Sequence, residues 1–118
     1  MRRWEVAASD ALAEGSSLGF QFGDGDWPVK GFLVRVGGKC YAWVNSCPHA
    51  GHALNFEPDE FMAPEGRFIR CLSHGARFEP DTGECVLGPC TGQSLKSLEC
   101  VEEHGKVLVT APASARDL

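Results

Sequence analysis

Two short pieces of the chain each pair a thiol with an imidazole: Cys47-Pro48-His49 and Cys71-Leu72-Ser73-His74, with residues 50–70 between them. Cysteine thiolate and neutral imidazole are the sulfur and nitrogen donors that first-row transition metals take in proteins. One such pair alone is most simply a buried thiol beside a surface histidine. Two pairs on two loops are different, because loops at strand ends can aim all four donors at one point. Two thiolates with two imidazoles suit either tetrahedral zinc or a [2Fe–2S] cluster whose two irons have unlike ligands.

The flanking segments read as strands. Val29 to Val36 alternates, with Phe32, Val34 and Val36 on one face and Leu33 and Arg35 on the other. Gly37-Gly38 then separates it from Lys39 to Val44, which is the pattern of a β-hairpin with a two-residue turn. A second hairpin is predicted from Leu98 to Glu102, a turn at Glu103-His104-Gly105, and Lys106 to Thr110. Between the hairpins, from Asn45 to about Pro89, proline or glycine stands at 48, 51, 58, 64, 66, 75, 80, 83, 88 and 89. Such a segment is loop-rich and inserted, and both Cys/His pairs lie in it. Ser9 to Gly15 reads as a single helical turn, capped by Ser9 and closed by Gly15. The fold class expected is all-β: an antiparallel sandwich or barrel base with an inserted loop-rich subdomain at about 45–89. Residues 1–112 then form one domain, and residues 113–118 a frayed tail.

Composition narrows the function. At 118 residues the chain is the size of one domain, and 43% hydrophobic with 23% charged residues is ordinary for a globular protein. The formal net charge of −5 offers no electrostatic footprint for nucleic acid or an anionic membrane. The longest unbroken apolar run, Cys40 to Val44, is far short of the roughly 20 residues of a membrane span. The N-terminal segment carries Glu5, Asp10 and Glu14 where a secretory leader would be apolar. A cytoplasmic location is therefore expected, where cysteines serve as metal ligands, redox groups or small buried hydrophobes. No paired acid and base, serine–histidine–carboxylate set or nucleotide-binding glycine loop stands out, so independent catalysis is not expected.

With these residues in view the chain resembles the Rieske-type [2Fe–2S] ferredoxins, whose signature is Cys-x-His followed by Cys-x-x-His. The likeness is most specific in C-P-H-A-G-H at 47–52, C-L-S-H-G-A-R-F at 71–78, D-T-G at 81–83 and G-P at 88–89. It implies the Rieske fold, with Cys47 and Cys71 holding one iron through sulfur and His49 and His74 holding the other through nitrogen. The Gly88-Pro89 loop would cover a third side of the cluster. It also implies a one-electron carrier and not an enzyme, served by an NAD(P)H-dependent ferredoxin reductase and feeding a terminal oxygenase. High-potential members carry a disulfide between the two ligand loops and a serine and a tyrosine that donate to cluster sulfurs. The corresponding positions here hold His52, Ser73, Ala76 and Phe78, so a potential toward the low end of the range of about −150 to +300 mV is expected. The chain departs from the family in a longer gap between His49 and Cys71, the excess falling in Phe56 to Gly66.

Two other readings use the same residues. A zinc-stabilised binding module would employ the same four donors, and a cluster-based redox sensor would add Cys85 and Cys90 as a thiol switch. On simpler readings Cys85 and Cys90 are buried structural thiols, Cys40 and Cys100 are core residues of strands, and His52 is a solvent-facing loop residue. Trp4, Trp27 and Trp43 read as core or core-edge aromatics. Glu57, Asp59, Glu60 and Glu65 form either a docking patch or a solvated loop face, and Phe56, Phe61 and Met62 among them require something to pack on.

Overall fold

Alternating aliphatic and aromatic segments, broken by glycine and proline, give a nearly all-β chain. The computed structural model describes every residue except Asp24, His49, Ala50, His52, Phe56, Ser73 and His74. Among the described residues the strands are β1 (Arg2–Ala8), β2 (Ser17–Phe22), β3 (Val29–Val36), β4 (Lys39–Val44), β5 (Ile69–Arg70), β6 (Arg77–Phe78), β7 (Cys85–Leu87), β8 (Ser97–Glu103) and β9 (Lys106–Ala111). Six of them form one antiparallel, barrel-like sheet in the order β1-β9-β8-β4-β3-β2. The other three, β5-β6-β7, form a small antiparallel sheet inserted between β4 and β8.

Both expected hairpins are present. β3 pairs with β4 from Gly31↔Val44 to Val36↔Lys39, and Gly37 and Gly38 turn the chain with φ of 65° and 77°. A two-residue turn with both φ positive matches the twist of the strands it joins. In the second hairpin β8 extends to Glu103, and the turn is His104-Gly105, both left-handed.

Three expectations are corrected, and one strand is added. The segment after β1 is a 3₁₀ turn over Ser9–Ala11 in which Ser9 caps nothing with its side chain. Its backbone N–H instead donates to Gly105 O at 2.8 Å, tying the connector to the β8–β9 turn. β2 was not anticipated. Trp27 is 52% exposed, its ring lying under the Arg116 guanidinium and not in a core. Residues 113–118 are docked: the Ala115 N–H donates to Trp27 O at 2.7 Å, and Leu118 packs against the barrel core.

The hydrophobic residues divide into two clusters that share β3 and β4. Inside the barrel lie Val29, Leu33, Cys40, Ala42, Leu98, Val107 and Val109. On the outer face Phe32, Val34 and Trp43 pack against Cys47, Leu54, Phe61, Ile69, Cys71, Phe78, Cys85, Cys90 and Leu95. β3 is thus covered on both sides, which is why Phe32, Leu33 and Val34 are consecutive apolar residues and all fully buried. The platform is joined to the inserted sheet by Trp43, whose indole N–H donates to Pro80 O at 3.1 Å. Gly83 lies against that indole: a Cβ there would stand 2.6 Å from the ring, and its φ is 75°.

Candidate metal centre

β4 delivers the chain into the first loop and β5 into the second. Asn45, just past β4, fixes the first. Its side-chain oxygen accepts from the Leu54 N–H at 2.9 Å, and its amide donates to Asn55 Oδ1 at 2.9 Å. The second loop is closed by the Cys71 N–H donating to Ala76 O at 2.9 Å, between β5 and β6. The Leu72 N–H donates to Leu54 O at 2.9 Å, so the two loops are bonded to each other through one residue that Asn45 also holds.

The loops share a local design. The Gly51 N–H donates to Cys47 O at 2.7 Å, and the Gly75 N–H donates to Cys71 O at 2.9 Å. Each glycine is left-handed, with φ of 76° and 68°, and each follows its cysteine by four residues. A side chain there would require a backbone conformation costly for L-residues. Both turns leave the cysteine at the root of a tight loop, and both cysteines are fully buried in the same apolar cluster. Sequence reasoning noted the cysteines and histidines but not this glycine pair. The signal was present as a glycine four residues after each cysteine.

The third loop closes against the second. Gly88, at φ 105°, approaches so near that a Cβ on it would lie 2.8 Å from Ala76 Cα. The loop is folded on itself by the Thr91 hydroxyl donating to Gly88 O at 2.7 Å and the Gln93 N–H donating to Cys90 O at 2.8 Å. Cys85 and Cys90 are both buried here, as structural thiols would be. Burial, with the neighbouring Cys85 and Cys47 sulfurs, pushes the Cys90 thiol up to about 12.

The insertion between the pairs is part of the core. Phe61 stacks on Phe32 with ring centroids 4.2 Å apart, and Met62 is also buried. Asp59 Oδ1 accepts from the Gly19 N–H at 2.9 Å, the Ser17 hydroxyl donates to Asp59 O at 2.7 Å, and the Phe61 N–H donates to the Ser17 hydroxyl at 3.0 Å. Glu65 pairs with Arg77. Asp59 and Glu65 are therefore structural contacts, while Glu57 and Glu60 remain on an exposed face.

Of the four donors expected from the sequence, the structure brings Cys47 and Cys71 together in one buried cluster. His49, His74 and His52 lie outside the described residues. Two thiols from two like loops, excluded from water and bonded loop to loop, fit a thiolate-held cluster: buried sulfur is a soft donor that metal binding deprotonates.

Comparison with known proteins agrees. The family model for the Rieske [2Fe-2S] domain matches residues 2–107. The ferredoxin component of the naphthalene 1,2-dioxygenase system of Pseudomonas putida is 34% identical over 107 residues, covering 88% of this chain and 89% of that protein. Among solved structures, the ferredoxin of carbazole 1,9a-dioxygenase from Nocardioides aromaticivorans IC177 superposes with a TM-score of 0.69. The two are 27% identical over 95% of this chain and all of the other. A ferredoxin in a complex of reduced oxygenase and oxidized ferredoxin in carbazole 1,9a-dioxygenase gives 0.67 at 27% identity, with 91% of each chain covered. Among the described residues no helix is long and apolar enough to cross a membrane. By its paired loops, its barrel with an inserted three-stranded sheet, and a family match over nearly its whole length, this chain belongs to the Rieske [2Fe-2S] domain family.

Proposed function

We propose that this protein is a one-electron carrier that takes electrons from an NAD(P)H-dependent reductase and delivers them to a terminal oxygenase. Cys47 and Cys71 hold one iron of the cluster and His49 and His74 the other. Residues 45–89 are its cluster-binding subdomain within a single domain. The observation that carries the reading is the pair of like Cys–Gly turns, each burying its thiol in one shared cluster. The relatives named as ferredoxin components of dioxygenase systems, and the ferredoxin seen with its oxygenase, supply the class of partner. A cytoplasmic location accords with cysteines kept as thiols.

When bound, the cluster stores and releases a single electron. The protein supplies the rest. Neutral imidazoles in place of two thiolates lower the negative charge at the site, which is why such centres lie well above the roughly −400 mV of plant-type ferredoxins. Phe32, Phe61 and Phe78 pack in the same buried apolar core as the two cysteines and keep water from their thiols. Ala76 and Phe78 bring no hydroxyl to it, which supports a midpoint in the lower part of the family's range.

The test is visible absorption and low-temperature EPR on anaerobically purified protein, with iron, sulfide and zinc quantified. Two irons and two sulfides, with a rhombic signal of low average g only after dithionite reduction, are expected. Cys47→Ala and Cys71→Ala should each abolish that signal. A colourless protein retaining one zinc after attempted cluster reconstitution would overturn the reading.

A further inference from the structure

The barrel contains a second pair of sulfurs, apart from those of the metal centre. β4 and β8 pair at Ala42↔Leu98 and Trp43↔Ser97, a register that places Cys40 opposite Cys100 if continued. The ladder stops short of them. Where the strands part, the Cys100 thiol stands in the seam and donates to Cys40 O at 3.3 Å. A cleft of about 260 Å³ opens there, lined by Lys39, Cys40, Cys100, Val101 and Glu102. Both cysteines line the cleft, but Cys100 is half-buried whereas Cys40 is only 7% exposed. That 3.3 Å approach puts the Cys100 sulfur in direct contact with the Cys40 residue, although no ladder bond joins the two.

We propose that Cys40 and Cys100 form a redox-modification site in the barrel, where a low-molecular-weight disulfide converts the two thiols into a cross-strand disulfide. Cys100 reacts first because it is the more exposed of the two. Its thiolate attacks one sulfur of RSSR, forming Cys100–S–S–R and releasing RS⁻. Cys40 then gives up its proton and attacks the Cys100 sulfur, releasing the second RS⁻. The protein loses two electrons and two protons, and the small disulfide leaves as two thiols.

The local chemistry favours that order. The contact with Cys40 holds the Cys100 thiol below its ordinary value against the opposing effect of burial, with Lys39 helping and Glu102 resisting. The same contact, with burial, raises the Cys40 thiol. Once Cys100 is in the mixed disulfide it carries no negative charge, so the interaction that raised Cys40 is removed when its thiolate is needed. Cys85 and Cys90 are each 1% exposed and lack access to a small disulfide, so the thiol switch considered for them is better placed in the barrel.

The experiment uses the protein with its cluster in place, incubated anaerobically with glutathione disulfide, then alkylated, digested and mapped by mass spectrometry. Expected are loss of two alkylatable thiols, a cross-linked peptide containing Cys40 and Cys100, reversal by dithiothreitol, and unchanged visible absorption. In Cys40→Ser one glutathionyl group per chain should remain on Cys100. A stable glutathione adduct on Cys100 of the unaltered protein without cross-linking would overturn the proposal. So would the absence of reaction at Cys100, or cross-linking only after the visible absorption is lost. Should Cys40→Ser fail to fold, the map of the unaltered protein decides the matter alone.

Discussion

Replacing Phe61 by alanine tests whether the insertion between the Cys/His pairs is part of the core that holds them. Phe61 is 1% exposed and stacks on Phe32 at 4.2 Å in the cluster that contains Cys47 and Cys71. A buried Phe→Ala substitution costs about 3–5 kcal/mol, from lost transfer energy and the cavity left behind. A domain of this size has roughly 6–18 kcal/mol in all, so the variant should fold with much of its margin gone. Because cluster loss makes unfolding irreversible, the unfolding rate is the appropriate measurement. If the insertion docks after the folding transition state, nearly the whole cost falls on unfolding. At 1.36 kcal/mol per decade, 3–5 kcal/mol is an acceleration of about 150- to 5,000-fold. If half of it is already docked, the acceleration is still about 10-fold or more. Stopped-flow dilution into guanidinium, followed by far-UV circular dichroism and by visible absorption, reads both the fold and the cluster. An acceleration below about 5-fold, with both signals otherwise unchanged, would refute the placement of Phe61 in the core.

Gly83→Ala should destabilise by about 2–4 kcal/mol, since its Cβ would meet the Trp43 ring at 2.6 Å in a left-handed backbone; denaturant midpoints and a red shift of tryptophan emission would show it. Arg35 grips the Glu102 carboxylate through two nitrogens at 3.0 and 2.8 Å, which holds that carboxyl below 4.5. Glu102 thus contributes stability that is present above pH 4.5 and lost as pH falls through its lower folded value, so Glu102→Gln should flatten the acid limb of a stability profile. Redox titration should place the midpoint below zero, and a value well above zero would contradict the role given to Ala76 and Phe78.

The two hairpins were legible because apolar alternation and a Gly-Gly turn are local signals, and the structure reproduces Phe32, Val34 and Val36 against Leu33 on opposite faces. β2 was not, although Leu18, Phe20 and Phe22 alternate, because Gly19 is a poor strand residue that stands there for a reason visible only in three dimensions. A Cβ at Gly19 would stand 2.6 Å from Pro58 O of the insertion. The cysteines of the centre announced themselves by spacing, whereas the bond from Leu72 to Leu54 that unites their loops is long-range and leaves no local trace. Cys100 read as core because strand residues usually are; that the β4–β8 ladder ends at Ala42↔Leu98 is a long-range fact that periodicity does not encode. Trp27 and the C-terminal residues depend on each other, through the Ala115 N–H and the Trp27 carbonyl, and neither segment shows that alone.

The stitching of Asp59 to Gly19 has a consequence for self-association. β2 ends the sheet order, and an edge strand presents outward N–H groups that another chain can pair with. The Gly19 N–H is already taken by a carboxylate, and the Ser17 hydroxyl beside it is bonded into the same turn. The opposite edge, β1, carries Arg2, Arg3 and Glu5. A segment that lengthens the path between the metal-binding loops therefore also blunts one rim of the barrel against intermolecular sheet growth. On the electron-carrier reading proposed above, which has the protein meet and leave its partners in every turnover, a rim that does not bind its own copies is an advantage.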